Sequence, residues 1–125
     1  MTKLFFIDDE PILLKLCQLF LARMENIEIT YFESAIDALT EIEKGNIPNL
    51  IISDIKMPKM SGFELAKTLI NKSYINKIKF SYCTSFASLQ DASDVYSLER
   101  KDLLDFPFYN KPIGKDIIDF IEKQL

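Results

Sequence analysis

Two short apolar runs, Leu4–Phe5–Phe6–Ile7 and Leu50–Ile51–Ile52 closed by Ser53, each stop abruptly at acids. Asp8, Asp9 and Glu10 follow the first run and Asp54 follows the second. A run without polar alternation needs apolar cover on both sides, the condition of a strand in a parallel sheet sandwiched between helices. Ile27, Ile29 and Tyr31 alternate, which gives a further strand over 27–32, and Ile78 to Cys83 reads as another ending at Thr84. Phe106 to Asn110 reads as a fifth, shortened by Pro107, which has no N–H to donate.

Helical spacing fills the intervals. Pro11 suits a first helical position, and Ile12, Leu13, Leu16, Phe20 and Met24 follow at helical spacing, so residues 11–24 read as an amphipathic helix. Ser34 is the expected N-cap of a helix through Lys44 that Gly45 ends. Phe63, Ala66, Leu69 and Ile70 mark the inner side of a third helix. A fourth is expected over roughly 87–100, on looser spacing (Leu89, Ala92, Val95, Tyr96). The last runs from Ile113 to Leu125 with Ile117, Ile118, Ile121 and Leu125 inward. Strand–helix alternation five times over implies an α/β domain, a doubly wound five-stranded parallel sheet with helices on both faces.

The 125 residues suit one domain, 1–125. At 48% hydrophobic and 27% charged, with 3 Gly and 5 Pro, the chain is neither disordered nor low in complexity. A net charge of -4 argues against direct nucleic-acid binding, and the lysines form no basic patch. The start of the chain meets acids too soon for a signal peptide, and no apolar run approaches the ~20 residues of a membrane span, so the expected location is cytoplasmic. Cys17 and Cys83 have no scaffold or metal spacing and read as core thiols. Histidine is absent, which removes every mechanism that needs an internal imidazole.

In an open parallel sheet, sites form beyond the carboxyl ends of the strands. There stand Asp8 and Asp9, Asp54, Thr84, and Lys111 followed by Pro112. Converging carboxylates repel and call for protonation or a cation; a hard divalent ion with oxygen ligands, Mg²⁺, held by Asp8, Asp9 and Asp54 meets that need. Asp54 then keeps an oxygen free to attack phosphorus, as carboxylates do in aspartyl-phosphate chemistry. Lys111 and Thr84 can stabilise oxygens of the transferred group, and a carboxylate nucleophile needs no general base. Singly, each motif has a plain reading: acids at a helix N-terminus, a turn acid, an N-cap hydroxyl, a surface turn.

Together they carry a resemblance. Asp8-Asp9-Glu10, Asp54-Ile55-Lys56-Met57-Pro58 with Gly62, Cys83-Thr84-Ser85 and Lys111-Pro112 look like the signature positions of response-regulator receiver domains. The resemblance covers essentially the whole chain and implies a flavodoxin-like (βα)5 fold with strand order 2-1-3-4-5. It implies Asp54 as phosphoacceptor, Asp8 and Asp9 as metal-binding acids, and the Lys56 carbonyl as a further ligand. Thr84 and Lys111 would attend the phosphoryl group, and Phe108 takes the place of the family's switch aromatic. The implied partners are a sensor histidine kinase or phosphotransfer protein as donor and a downstream protein effector. A phosphorylation-dependent dimer is among the expected assemblies, and a turnover enzyme is not expected.

Two other classes share parts of this chemistry. A Mg²⁺-dependent aspartate-nucleophile phosphatase or phosphotransferase normally has its nucleophile after the first strand with an acid two residues on, which Asp8-Asp9-Glu10-Pro11 fits poorly. A receiver-like binding module that is never phosphorylated would have no use for all five site side chains. The chain departs from the family between Thr84 and Lys111. That interval is longer than usual, and Tyr96–Asp102 replaces an Ala- and Gly-rich turn. Ser85 should leave access to Asp54 open, while Lys56 and Phe86 are expected to slow loss of the phosphoryl group by shaping water access.

Overall fold

A computed structural model describes residues 1–125. Five strands, β1 (Thr2–Ile7), β2 (Ile27–Phe32), β3 (Leu50–Ser53), β4 (Lys79–Thr84) and β5 (Phe108–Asn110), form one sheet in the order β2-β1-β3-β4-β5. Every pairing is parallel. Helices α1 (Pro11–Leu21), α2 (Ala35–Glu43), α3 (Gly62–Asn71), α4 (Leu89–Tyr96) and α5 (Lys115–Lys123) make the crossovers. Short 3-10 turns lie at Tyr74–Asn76 and Lys101–Leu104. No helix is long and apolar enough to cross a membrane.

Alternation along the strands divides the core in two. Phe5, Ile7, Ile51, Phe80 and Tyr82 pack under α2, α3 and α4 in a cluster of 19 buried residues. Leu4, Phe6, Leu50, Ile52 and Cys83 face α1 and α5 in a cluster of 11. Both cysteines are buried and unpaired. Burial pushes the Cys17 thiol up to about 11 and the Cys83 thiol up to about 12, so neither has a reactive thiolate.

Helix starts follow local chemistry. Ser34 accepts from Asp37 N–H at 3.0 Å to cap α2, and Gly45 (φ 99) turns the chain after it. Ser61 and Glu64 exchange reciprocal bonds at the start of α3.

Four expectations need correction. The first concerns α1, whose sheet-facing residues are Leu14, Cys17 and Leu21, while Ile12, Leu16 and Phe20 are 77%, 42% and 58% exposed. The helix is apolar nearly all round, so two apolar sets share its period and packing on the sheet selects one. The second is α4, which ends at Tyr96 and not near 100, because Ser97 turns left-handed (φ 51) and Leu98 N–H bonds back to Ser93 O at 3.1 Å. The third is β5, which starts at Phe108; Pro107 donates nothing, although its carbonyl accepts from Tyr82 N–H at 2.9 Å. The fourth is the end of α5, where Ile117 and Ile121 are buried and Ile118 is half-buried, but Leu125, expected inward, lies beyond the helix and is exposed.

Candidate phosphoryl-acceptor site

The strand ends bring the acids together through main-chain pairing. Ile7 pairs with Ser53, and Asp54 N–H donates to Ile7 O at 2.9 Å, so Asp8 and Asp54 leave adjacent strands side by side. Lys111 N–H donates to Thr84 O at 3.0 Å, which fixes the lysine beside the end of β4. The Lys111–Pro112 peptide is cis. Gly62 stands against Asp54 from the α3 side. Its N–H donates to Ile55 O at 2.9 Å, and a Cβ there would collide with the Asp54 carbonyl oxygen.

Asp54 is buried and both its carboxylate oxygens are engaged. Oδ1 accepts from Ile55 N–H at 2.8 Å and Oδ2 from Lys111 Nζ at 2.9 Å. Asp8 Oδ1 accepts from Glu10 N–H at 2.9 Å. Lys111 Nζ lies 2.6 Å from Asp8 Oδ2 and 3.5 Å from Glu10 Oε1. One ammonium is thus shared between two buried carboxylates, Asp8 Oδ2 and Asp54 Oδ2. Thr84 Oγ1 accepts from Phe86 N–H at 3.1 Å, and Asn110 Nδ2 donates to Phe86 O at 2.6 Å.

Electrostatics follow from crowding in a dry place. Burial pushes the Asp8 carboxyl up to about 6, opposed by Lys111 and the Glu10 N–H and assisted by the Asp54 charge. Burial likewise raises Asp54, again opposed by Lys111. For Lys111 burial alone would lower the ammonium, but bonds and charges from Asp8 and Asp54 outweigh it and hold the proton well above the usual range.

One ligand oxygen from each of Asp8, Asp9, Glu10 and Asp54 falls within 4.8 Å of the others. Four hard oxygen donors, more negative charge than the one Lys111 ammonium can balance, suit a divalent cation such as Mg²⁺. A cleft of about 270 Å³ opens over Asp54, lined by Glu10, Lys56, Thr84, Ser85, Phe86 and Lys111.

The strand-end residues Asp8, Asp9, Asp54, Thr84 and Lys111 are thus gathered on one rim, with Lys56 at the cleft lip. Glu10, part of the quoted Asp8-Asp9-Glu10 segment, was not expected as a ligand; its position before Pro11 reads as an ordinary charge at a helix start. Phe108 is half-buried against the larger core and has no ring partner. Tyr96, read from sequence only as a spacing residue of the fourth helix and the start of the atypical segment, lies between Phe86 and Phe63.

Comparison with known proteins shows the family. The family model described as "Response regulator receiver domain" matches residues 4–122. The transcriptional regulatory protein NatR of Bacillus subtilis is 27% identical over 125 residues, covering 99% of this chain and 52% of its own. The heme response regulator HssR of Staphylococcus saprophyticus is 32% identical over 113 residues, covering 90% and 48%. The chain therefore spans about half the length of these curated relatives. Among solved structures, the response regulator protein TrrA of Thermotoga maritima, in complex with Mg(2+)-BeF, is similar at TM-score 0.76 and 26% identity, with 100% of both chains covered. A CheY-like receiver domain protein of Methanospirillum hungatei gives TM-score 0.77 and 26% identity over 99% of this chain and 93% of its own. With the fold, the acid-lined rim and a family match over nearly its full length, the chain belongs to the response regulator receiver domains of two-component systems.

Proposed function

We propose that this domain accepts a phosphoryl group on Asp54 from a phosphohistidine on a sensor histidine kinase or phosphotransfer protein. The observation that carries the reading is the buried Asp54 carboxylate held 2.9 Å from Lys111 Nζ at the floor of an open cleft. One Asp54 oxygen attacks phosphorus. The bond between phosphorus and the donor's imidazole nitrogen breaks, and the imidazole leaves with the electron pair. Because the carboxylate is already deprotonated, the chain's lack of histidine is no obstacle.

Lys111, 2.9 Å from Asp54 Oδ2, would hold a phosphoryl oxygen as negative charge spreads over the group. The Thr84 hydroxyl, now accepting from Phe86 N–H, can turn to donate to another. Asp8, Asp9, Asp54 and the Lys56 main-chain carbonyl would hold Mg²⁺, with Glu10 as a further acid. When bound, the cation neutralises the crowded carboxylates and the incoming phosphoryl charge. The phosphorylated domain then presents a changed surface to a downstream protein effector, or to a second copy in a phosphorylation-dependent dimer.

Incubation with acetyl phosphate and Mg²⁺, followed by intact mass measurement, tests the chemistry. A single phosphoryl gain absent from Asp54→Ala is expected. Continuous turnover of the phosphodonor without a stable gain would indicate a phosphatase instead, and no reaction at all would indicate a binding module.

A further inference from the structure

Four rings form a connected path away from the cleft. Phe86, on the cleft lip, meets Tyr96 at 6.5 Å between centroids, and Tyr96 meets Phe63 at 5.6 Å. Phe63 meets Tyr82 at 5.3 Å, and all three contacts are edge-to-face. Tyr82 is fully buried, and its hydroxyl donates to Leu103 O at 2.8 Å. Leu103 belongs to the 3-10 turn within the extended Thr84–Lys111 interval.

The first ring is tied to the site by the main chain, because Phe86 N–H donates to Thr84 Oγ1. A Thr84 hydroxyl drawn over Asp54 gives up that bond and frees the turn that carries Phe86. Tyr96 sits at the other side of this contact, one residue before Ser97, whose left-handed backbone is uncommon for a residue with a Cβ. After burial, the charges of Asp54, Glu64 and Asp9 raise the Tyr96 phenol, which places it within the field of the site. Phe108 has neither link. It packs on the core without a ring partner, beside Tyr82 in the strand register.

We propose that Tyr96, rather than Phe108, is the positioning residue that couples the state of the Asp54 site to the segment 97–106, through the ring path Phe86–Tyr96–Phe63–Tyr82. This rests on phosphorylation of Asp54. Ring contact carries the coupling: edge-to-face pairs lose contact when one member rotates, so a displaced Phe86 repacks its neighbours in turn. The end of α4 and the 3-10 turn tethered by Tyr82 are the parts that respond.

Amide NMR spectra with and without beryllofluoride and Mg²⁺ test this, alongside intact mass after acetyl phosphate. The native domain is expected to gain one phosphoryl group and to shift signals over 98–106. Tyr96→Leu should keep the mass gain and the shifts at Thr84 and Lys111 while losing those at 98–106. Tyr96→Phe should restore them, and Phe108→Leu should leave them in place. Should Tyr96→Leu lose its dispersed spectrum, Tyr82→Phe unties the far end of the path from the Leu103 carbonyl, away from the cleft, and is read the same way. Shifts at 98–106 that survive Tyr96→Leu but vanish in Phe108→Leu would overturn the inference. So would a Tyr96→Phe domain that behaves like Tyr96→Leu, since ring contact would then not be the carrier. A native domain that gains no phosphoryl group brings down the Asp54 reading itself, and mass alone detects that.

Discussion

The two faces of the sheet are built to different plans. Under α2, α3 and α4 lie the larger cluster and most of the ring contacts, including those that link the cleft to the Lys101–Leu104 turn. Under α1 and α5 the cluster is smaller, and α1 carries apolar side chains outward as well as inward. One face is thus a continuous solid against the site. The other is a thinner layer whose outer surface is still apolar, with Ile12 and Leu19 77% and 75% exposed. A perturbation entering at Asp54 has a packed route on the first face and a shorter core to cross on the second.

The largest test of this contrast is truncation on the ring face. Phe63 touches both Tyr82 and Tyr96, so Phe63→Ala should cost about 3–5 kcal/mol in urea unfolding. Cys17→Ala, equally buried on the opposite face, removes one sulfur and should cost about 1 kcal/mol. Equal losses would break the contrast. Next comes Tyr82→Phe, which keeps the ring but leaves the Leu103 carbonyl without its donor. A loss of about 1–2 kcal/mol is expected, together with faster amide exchange across residues 101–104.

A smaller effect sharpens the contrast where β1 ends at the rim. The Asp8 carboxyl sits at about 6 in the folded chain against an ordinary 3.8, so folding takes up a proton between those values. In metal-free protein its contribution should be greatest below about pH 4 and fall as pH rises towards about 6. Asp8→Asn should flatten that slope and raise stability above about pH 6 by on the order of 1 kcal/mol, as thermal unfolding across pH would reveal. The smallest change is expected outside: Ile12→Ser and Leu19→Ser on the exposed side of α1 should each stay within about 0.5 kcal/mol. A larger loss in dilute solution would mean that this surface is covered.

How much of this could be read from the chain depends on where the determining force acts. The rim was legible because β1 and β3 pass from full burial to an acid within one residue, and parallel topology places such ends together. The buried side of α1 was not, because Ile12, Leu16 and Phe20 repeat with the same period as Leu14, Cys17 and Leu21. The end of α4 was hidden for a different reason: Ser97 takes a left-handed turn without the glycine or asparagine that usually announces one. Glu10 and Tyr96 acquire meaning only from neighbours distant in sequence, Lys111 for one and Phe63 with Phe86 for the other. The Tyr82–Leu103 bond depends on where the long interval folds back, which no local pattern records.

The main-chain bonds Asp54 N–H to Ile7 O and Lys111 N–H to Thr84 O have an evolutionary consequence. Relative placement of the acid and the ammonium is inherited from ladder register, which any sequence able to form these strands reproduces. Exposed positions on the helices are then released to drift. A lineage built on this frame can exchange its protein partners by recolouring helix surfaces while the chemistry beneath stays unchanged.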